Sequence, residues 1–112
     1  MIDFYRFGEI TVDGKKYNSD VIIFPDHVCS DWGRRDGHQV CLNDVEEIVR
    51  LKPDVLVLGT GRPGLVQMLP ETLRKLEDLS IKVIARDSIE ACRIYNQICG
   101  SQRAVAAIHL TC

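Results

Sequence analysis

One stretch constrains the fold more than any other: Pro53-Asp54-Val55-Leu56-Val57-Leu58-Gly59-Thr60-Gly61-Arg62-Pro63-Gly64. An unbroken apolar run, opened by a proline and closed by glycines, reads as a strand buried on both faces, the kind found in parallel sheets. The glycines predict a sharp turn at the strand's carboxyl end, where open α/β sheets place their ligands. Gly59, Thr60 and Gly61 therefore head the candidate binding residues.

Parallel strands need long crossovers, and the flanking sequence supplies them. Pro70 to Leu79 predicts a helix with proline at its first position and Leu73, Leu76 and Leu79 toward the sheet. Ile81 to Ala85 is a second strand. Asp87 or Ser88 caps a helix over Ile89–Cys99 whose stripe is Ala91, Cys92, Tyr95, Ile98 and Cys99, with Gly100 as its C′ residue. Ala104 to Leu110 is a closing strand. Each crossover carries a helix, so right-handed parallel connections follow.

The first half reads differently. Phe7 to Tyr17 is a hairpin signal, with Asp13-Gly14 suited to a type I′ turn and Ile10/Val12 alternating with polar neighbours. Val21 to Phe24 is an apolar strand stopped by Pro25. Asn43 is expected to cap a helix running to Lys52, with Glu46 closing a capping box and Pro53 ending it. The fold class is α/β: a single domain over 1–112 with an N-terminal β-hairpin, a mixed and partly parallel sheet, and a β-α-β-α-β second half.

Between Pro25 and Leu42 no regular element is predicted, and a loop this long in a small domain tends to be functional. It holds the only tryptophan, Trp32, the Arg34-Arg35 pair, and two of the three histidines, His27 and His38. Trp32, Arg34 and His38 are candidate binding-surface residues. The plainer reading folds Trp32 over the core edge and leaves the charges in water.

Composition excludes several functions. A net charge of −2 gives no electrostatic case for nucleic acid. No apolar run approaches a membrane span, so no membrane insertion is expected. The amino terminus carries no signal-peptide pattern, and the five cysteines are an odd count, so free thiols and a cytoplasmic location are expected.

Gly59-x-Gly61-x-x-Gly64 matches the dinucleotide fingerprint, but that mechanism needs a helix opening at the third glycine. Pro70 would break such a helix, and Asp87 lies too far on for the ribose-binding acid. Gly64 then reads as a coincidence of spacing. A small anion held by the amides from Gly59 to Arg62, with Arg62 assisting, fits the residues better; a turn serving chain geometry alone fits them equally. His27-x-Cys29, His38-x-x-Cys41 and His109-x-x-Cys112 do not have the spacing of zinc sites. No metal or other cofactor is expected, and no triad, paired-acid or cofactor-lysine signature points to catalysis. Asn96, beside the buried Tyr95, either faces the glycine turn or bonds a neighbouring loop.

These residues together resemble the adipogenesis-associated Mth-type domain family, which includes mitochondrial complex I assembly factor 3. The likeness rests on Phe7-Gly8, Tyr17, Ser19-Asp20-Val21, Trp32, His38 and Pro53 to Gly61. It continues through Glu90-Ala91, Tyr95-Asn96, Arg103 to Ala107 and His109-Leu110-Thr111-Cys112. It departs at Ser88, where many members have threonine. The resemblance implies a three-layer α/β fold and no established enzymatic activity. It suggests binding or assembly work, with a protein partner or self-association, on a surface shared by Trp32, Arg34, His38, Gly59, Thr60, Gly61 and Asn96. The alternative is a small-ligand (anion or nucleotide) protein, or a small enzyme, using the Gly-Thr-Gly turn and nearby His or Cys.

Overall fold

A computed structural model describes residues 1–112. Its frame is a five-stranded sheet in the order β5(Val28–Ser30), β4(Val21–Ile23), β10(Ala104–Ile108), β7(Val55–Gly59), β9(Lys82–Arg86). β10, β7 and β9 run parallel, while β4 and β5 are antiparallel to their neighbours. The mixed sheet and the β-α-β-α-β second half are as the sequence predicts. The middle position belongs to β10, whose small Ala104, Ala106 and Ala107 let both faces be covered closely.

β7 and β10 are buried along their whole length because each sheet face has its own cover. On one face Val55, Val57, Ala106 and Ile108 pack with Ala91, Cys92 and Tyr95 of α3(Ser88–Ile98) and with Ile2, Ile10 and Val12. On the other, Leu56, Leu58, Val105 and Ala107 meet Trp32, Ile48 of α1(Glu46–Leu51) and Leu76 of α2(Pro70–Asp78). The strand period of two sends alternate residues to these two cores, making three layers.

The hairpin is larger than the sequence suggests. β2(Glu9–Val12) and β3(Lys15–Tyr17) join through Asp13 and Gly14, whose φ values of 47° and 82° are those of the predicted turn. β1(Ile2–Arg6) adds a third strand through a second tight turn at Phe7-Gly8. Only Ile2 of β1 is fully buried, so no alternation marks that strand.

Three further expectations are corrected. The 25–42 segment contains β5, and its Gln39–Val40 (β6) pairs in parallel with Gln67–Met68 (β8). The helix expected from Asn43 begins as a 3₁₀ turn over Leu42–Val45 and becomes α-helical at Glu46. Asp44, not Glu46, reaches back, taking the Cys41 N–H at 2.9 Å. At the end of α3, Cys99 is the C-cap and Gly100 follows at C′ as expected, although without a left-handed φ. In α2 the buried positions are Thr72 and Leu76, with Leu73 and Leu79 half-buried.

Candidate functional site

The parallel register sets Gly59 beside Ile108, so β7 and β10 end together. Gly59 is glycine because of that closeness: a Cβ there would lie 2.9 Å from both Ile108 Cδ1 and Ser88 Oγ. Gly61 has φ +102°, and its Cβ would fall 2.3 Å from the Thr111 carbonyl oxygen and 2.7 Å from His109 Cδ2. Gly64 also has φ +102°, so the turn itself accounts for a glycine there without any dinucleotide fingerprint.

The donors of Thr60, Gly61 and Arg62 are used within the protein. Thr60 N–H and its hydroxyl both reach the Arg86 carbonyl, at 2.8 and 3.0 Å. Gly61 N–H goes to Ser88 Oγ at 2.9 Å, and Arg62 N–H to the Thr111 carbonyl at 2.8 Å. Ser88 Oγ in turn donates to the His109 carbonyl. An anion cradle needs several convergent free amides, and the three successive amides from Thr60 to Arg62 are all engaged. The anion reading of these amides is therefore corrected: they fasten the carboxyl-terminal strand end to β9 and α3.

Beside the turn lies an ion cluster. Asp20 Oδ2 accepts from His109 Nδ1 at 2.7 Å and from an Arg34 amino nitrogen at 2.9 Å. Its Oδ1 takes the Leu110 N–H at 2.8 Å. Because Nδ1 donates to Asp20, the 3.0 Å approach of Arg34 to the same nitrogen reflects two donors around one oxygen. Burial raises the Asp20 carboxyl, but the hydrogen bonds from His109, Leu110 and Arg34 outweigh it and hold it below its ordinary value.

The Arg34 side chain is only 5% exposed. Its guanidinium lies over the Trp32 ring at 4.7 Å, and its Nε donates to the Gly37 carbonyl at 3.1 Å. Its second amino nitrogen, Nη1, is buried and has no partner. His38 meets the His109 ring edge-on, with centroids 6.4 Å apart, and His109 Nε2 lies 3.4 Å from Thr111 Oγ1. An Asp–His dyad orients an imidazole, but the five main concavities, 230–530 Å³, are lined by neither His38, His109 nor Cys112.

The seven sequence-predicted residues thus separate. Arg34, His38, Gly59, Thr60 and Gly61 gather around His109. Trp32 is buried beneath Arg34 and donates its indole N–H to the Asp44 carbonyl at 3.0 Å. Asn96 lies two turns along α3 from Ser88, where its amide bonds both the N–H and the carbonyl of Ile2, at 2.8 and 2.7 Å. It holds β1 in place as a neighbouring strand would, and does not reach the glycine turn. Asp20, Ser88 and the His109 pairing were missed; the only signals were Asp20 in Ser19-Asp20-Val21 and His109 in the closing His-Leu-Thr-Cys.

Around this end stand large exposed apolar side chains: Phe4, Phe7, Leu65 and Ile89. Ile89 borders one hollow with Phe4 and another with Arg62 and Pro63. Leu65 N–H bonds the Cys112 carbonyl, and Gly8, next to Phe7, bonds the Leu110 carbonyl.

Residues 2–110 match the profile of a protein family of unknown function, DUF498/DUF598. The chain belongs to that family. A conserved hypothetical protein of Pyrococcus horikoshii superposes with a TM-score of 0.87 at 29% identity, covering 100% of this chain and 99% of the other. A Bordetella parapertussis protein gives 0.81 at 27% identity over 98% and 94%. A Bordetella pertussis protein described as a Mth938-like domain gives 0.76 at 23% identity over 98% and 85%, a likeness of fold alone. The resemblance to Mth-type domains is thereby shown. Among curated proteins, none matches significantly.

Proposed function

We propose that this chain is a non-enzymatic binding and assembly domain that docks a protein partner, or a second copy of itself, on the rim of the Gly59–Thr60–Gly61 turn. The observation that carries this reading is the collection of Phe4, Phe7, Leu65 and Ile89, each about half exposed, around one end of the sheet. Exposed large apolar groups gathered in one place mark interaction surfaces. Covering four half-exposed side chains gives on the order of 4 kcal/mol, at about 2 kcal/mol for each such side chain fully buried. That is at the low end of the cost of association, so polar contacts from Arg62 and His38 complete the surface. The turn acts as a rigid post. The five free cysteines support, as part of this proposal, a reducing compartment such as the cytoplasm.

Photo-crosslinking tests this. A photoreactive residue at Leu65 should give one discrete adduct in cells, and the same residue at Lys75, on α2, should give none. Equal labelling from both positions, or none from Leu65, overturns the proposal.

A second reading has its own support in the unpartnered Arg34 Nη1: a small anionic ligand reaching Arg34 and His38, bound or turned over there. A melting-point screen of phosphates, carboxylates and nucleotides tests it. A ligand at about 100 times its dissociation constant stabilises the fold by roughly 2.7 kcal/mol. That shift should vanish in Arg34→Lys.

A further inference from the structure

Strand β9 ends the five-stranded sheet, and its outer edge is unpaired. Its inner edge is fixed by register, with Lys82 beside Val55 and Arg86 beside Gly59. Lys82 N–H donates to the Asp54 carbonyl at 3.0 Å, and the Arg86 carbonyl accepts from Thr60 N–H at 2.8 Å. Alternate residues of a parallel strand bond the same neighbour. Lys82, Ile84 and Arg86 therefore face β7, and the peptide groups of Val83 and Ala85 face outward. Neither outward N–H has a partner elsewhere in the chain. The Ala85 carbonyl is covered only by the strand's own Arg86 guanidinium, at 2.8 Å.

The side chains say what fits this edge. Lys82 and Arg86 stand on the α3 face, flanking Ile84, which is half-buried against that core. Both cations are exposed, and neither enters an ion pair. The carboxylates close in sequence or in register are engaged: Asp87 caps α3, Asp54 takes the Arg103 N–H, and Glu90 pairs with Arg93. A second copy of β9 would bring like charges opposite one another whichever way it ran, which disfavours self-pairing. The opposite edge strand, β5, spans only Val28–Ser30.

We infer that β9 is a strand-addition site for an extended acidic segment of a partner protein, its backbone bonding the Val83 and Ala85 peptide groups and its carboxylates meeting Lys82 and Arg86. The partner's acidic residues stand four apart, matching the Lys82–Arg86 spacing, with an apolar residue between them over Ile84. Arg86 swings from the Ala85 carbonyl to a carboxylate and uncovers the acceptor the new strand needs. This surface lies outside the rim argued above and is carried by separate observations.

Fluorescence anisotropy at low salt tests it with labelled Glu-Thr-Val-Thr-Glu and its Lys-Thr-Val-Thr-Lys counterpart, whose central valine shares the face of the two charges. The acidic peptide should bind the full-length protein and the basic one should not. Binding should weaken at least tenfold in the Lys82→Glu/Arg86→Glu variant and in Val83→Pro, which removes an outward N–H from an edge that tolerates proline. A peptide N-methylated on its bonding edge applies the same block to unaltered protein, should Val83→Pro fail to fold. No anisotropy change up to about 1 mM, equal binding of both peptides, or indifference to both the charge reversal and N-methylation overturns the inference.

Discussion

The glycine turn and the ion cluster beside it share a wall at His109, yet they solve opposite problems. At the turn the N–H groups of Thr60, Gly61 and Arg62 all have partners within the protein, and Gly59 and Gly61 let neighbouring elements approach closely enough to make those bonds. In the cluster, a buried arginine and histidine converge on one carboxylate, and one guanidinium nitrogen is left over. A saturated backbone turn is a structural joint. A buried cluster with a spare donor is a place where a ligand or a proton can alter the balance. The two regions should therefore respond differently to substitution.

The largest expected effect is Asp20→Ala. It leaves Arg34 buried without its counterion and should cost about 3–5 kcal/mol, read by urea unfolding; a loss near zero would mean that the cluster opens to water. Gly61→Ala comes next. Its backbone conformation alone should cost about 1–3 kcal/mol, and the overlap with the Thr111 carbonyl adds to it. The turn should thus prove as intolerant as the cluster, but through sterics, and equally at all pH values.

Acid titration separates the two more finely. Asp20 has a lowered folded value, so its contribution is fully present above the ordinary carboxylate value of about 4. It is lost as pH falls through the lowered value, because the unfolded chain takes up the proton first. Asp20→Asn should remove that part of the acid-induced loss, whereas Gly61→Ala should keep it; parallel pH profiles for all three proteins would break the distinction. The smallest effect is Arg34→Lys, which keeps the charge near Asp20 and removes the unpartnered nitrogen. It should cost about 1–2 kcal/mol less than Arg34→Ala in denaturant titrations. If the two cost the same, Nη1 has a partner.

Much of the fold was legible because it rests on local rules. The apolar Val55–Leu58 run, Pro70 opening α2, Asp87 capping α3 and Asp13-Gly14 at the hairpin are each set by sequence neighbours. β1 and β5 were not legible: β1 buries little beyond Ile2, and β5 is three residues held by β4. Asp44 displaced Glu46 at the cap because the chain enters α1 through a 3₁₀ turn, which moves the reach-back position forward. The site was half-legible. Gly59 to Gly61, Arg34 and His38 were flagged by type, but Asp20 and His109 stand 89 positions apart and carry no local pattern.

By itself, then, the sequence determined the alternation that sorts residues to two cores, the positions of the principal turns, and a glycine-rich joint after a fully buried strand. These follow from backbone sterics and the burial of apolar side chains within a few residues. Only the tertiary structure decided what the joint is for. Whether an amide awaits an anion or already holds a carbonyl depends on groups brought from Arg86, Ser88 and Thr111, and no spacing within Gly-Thr-Gly encodes that meeting.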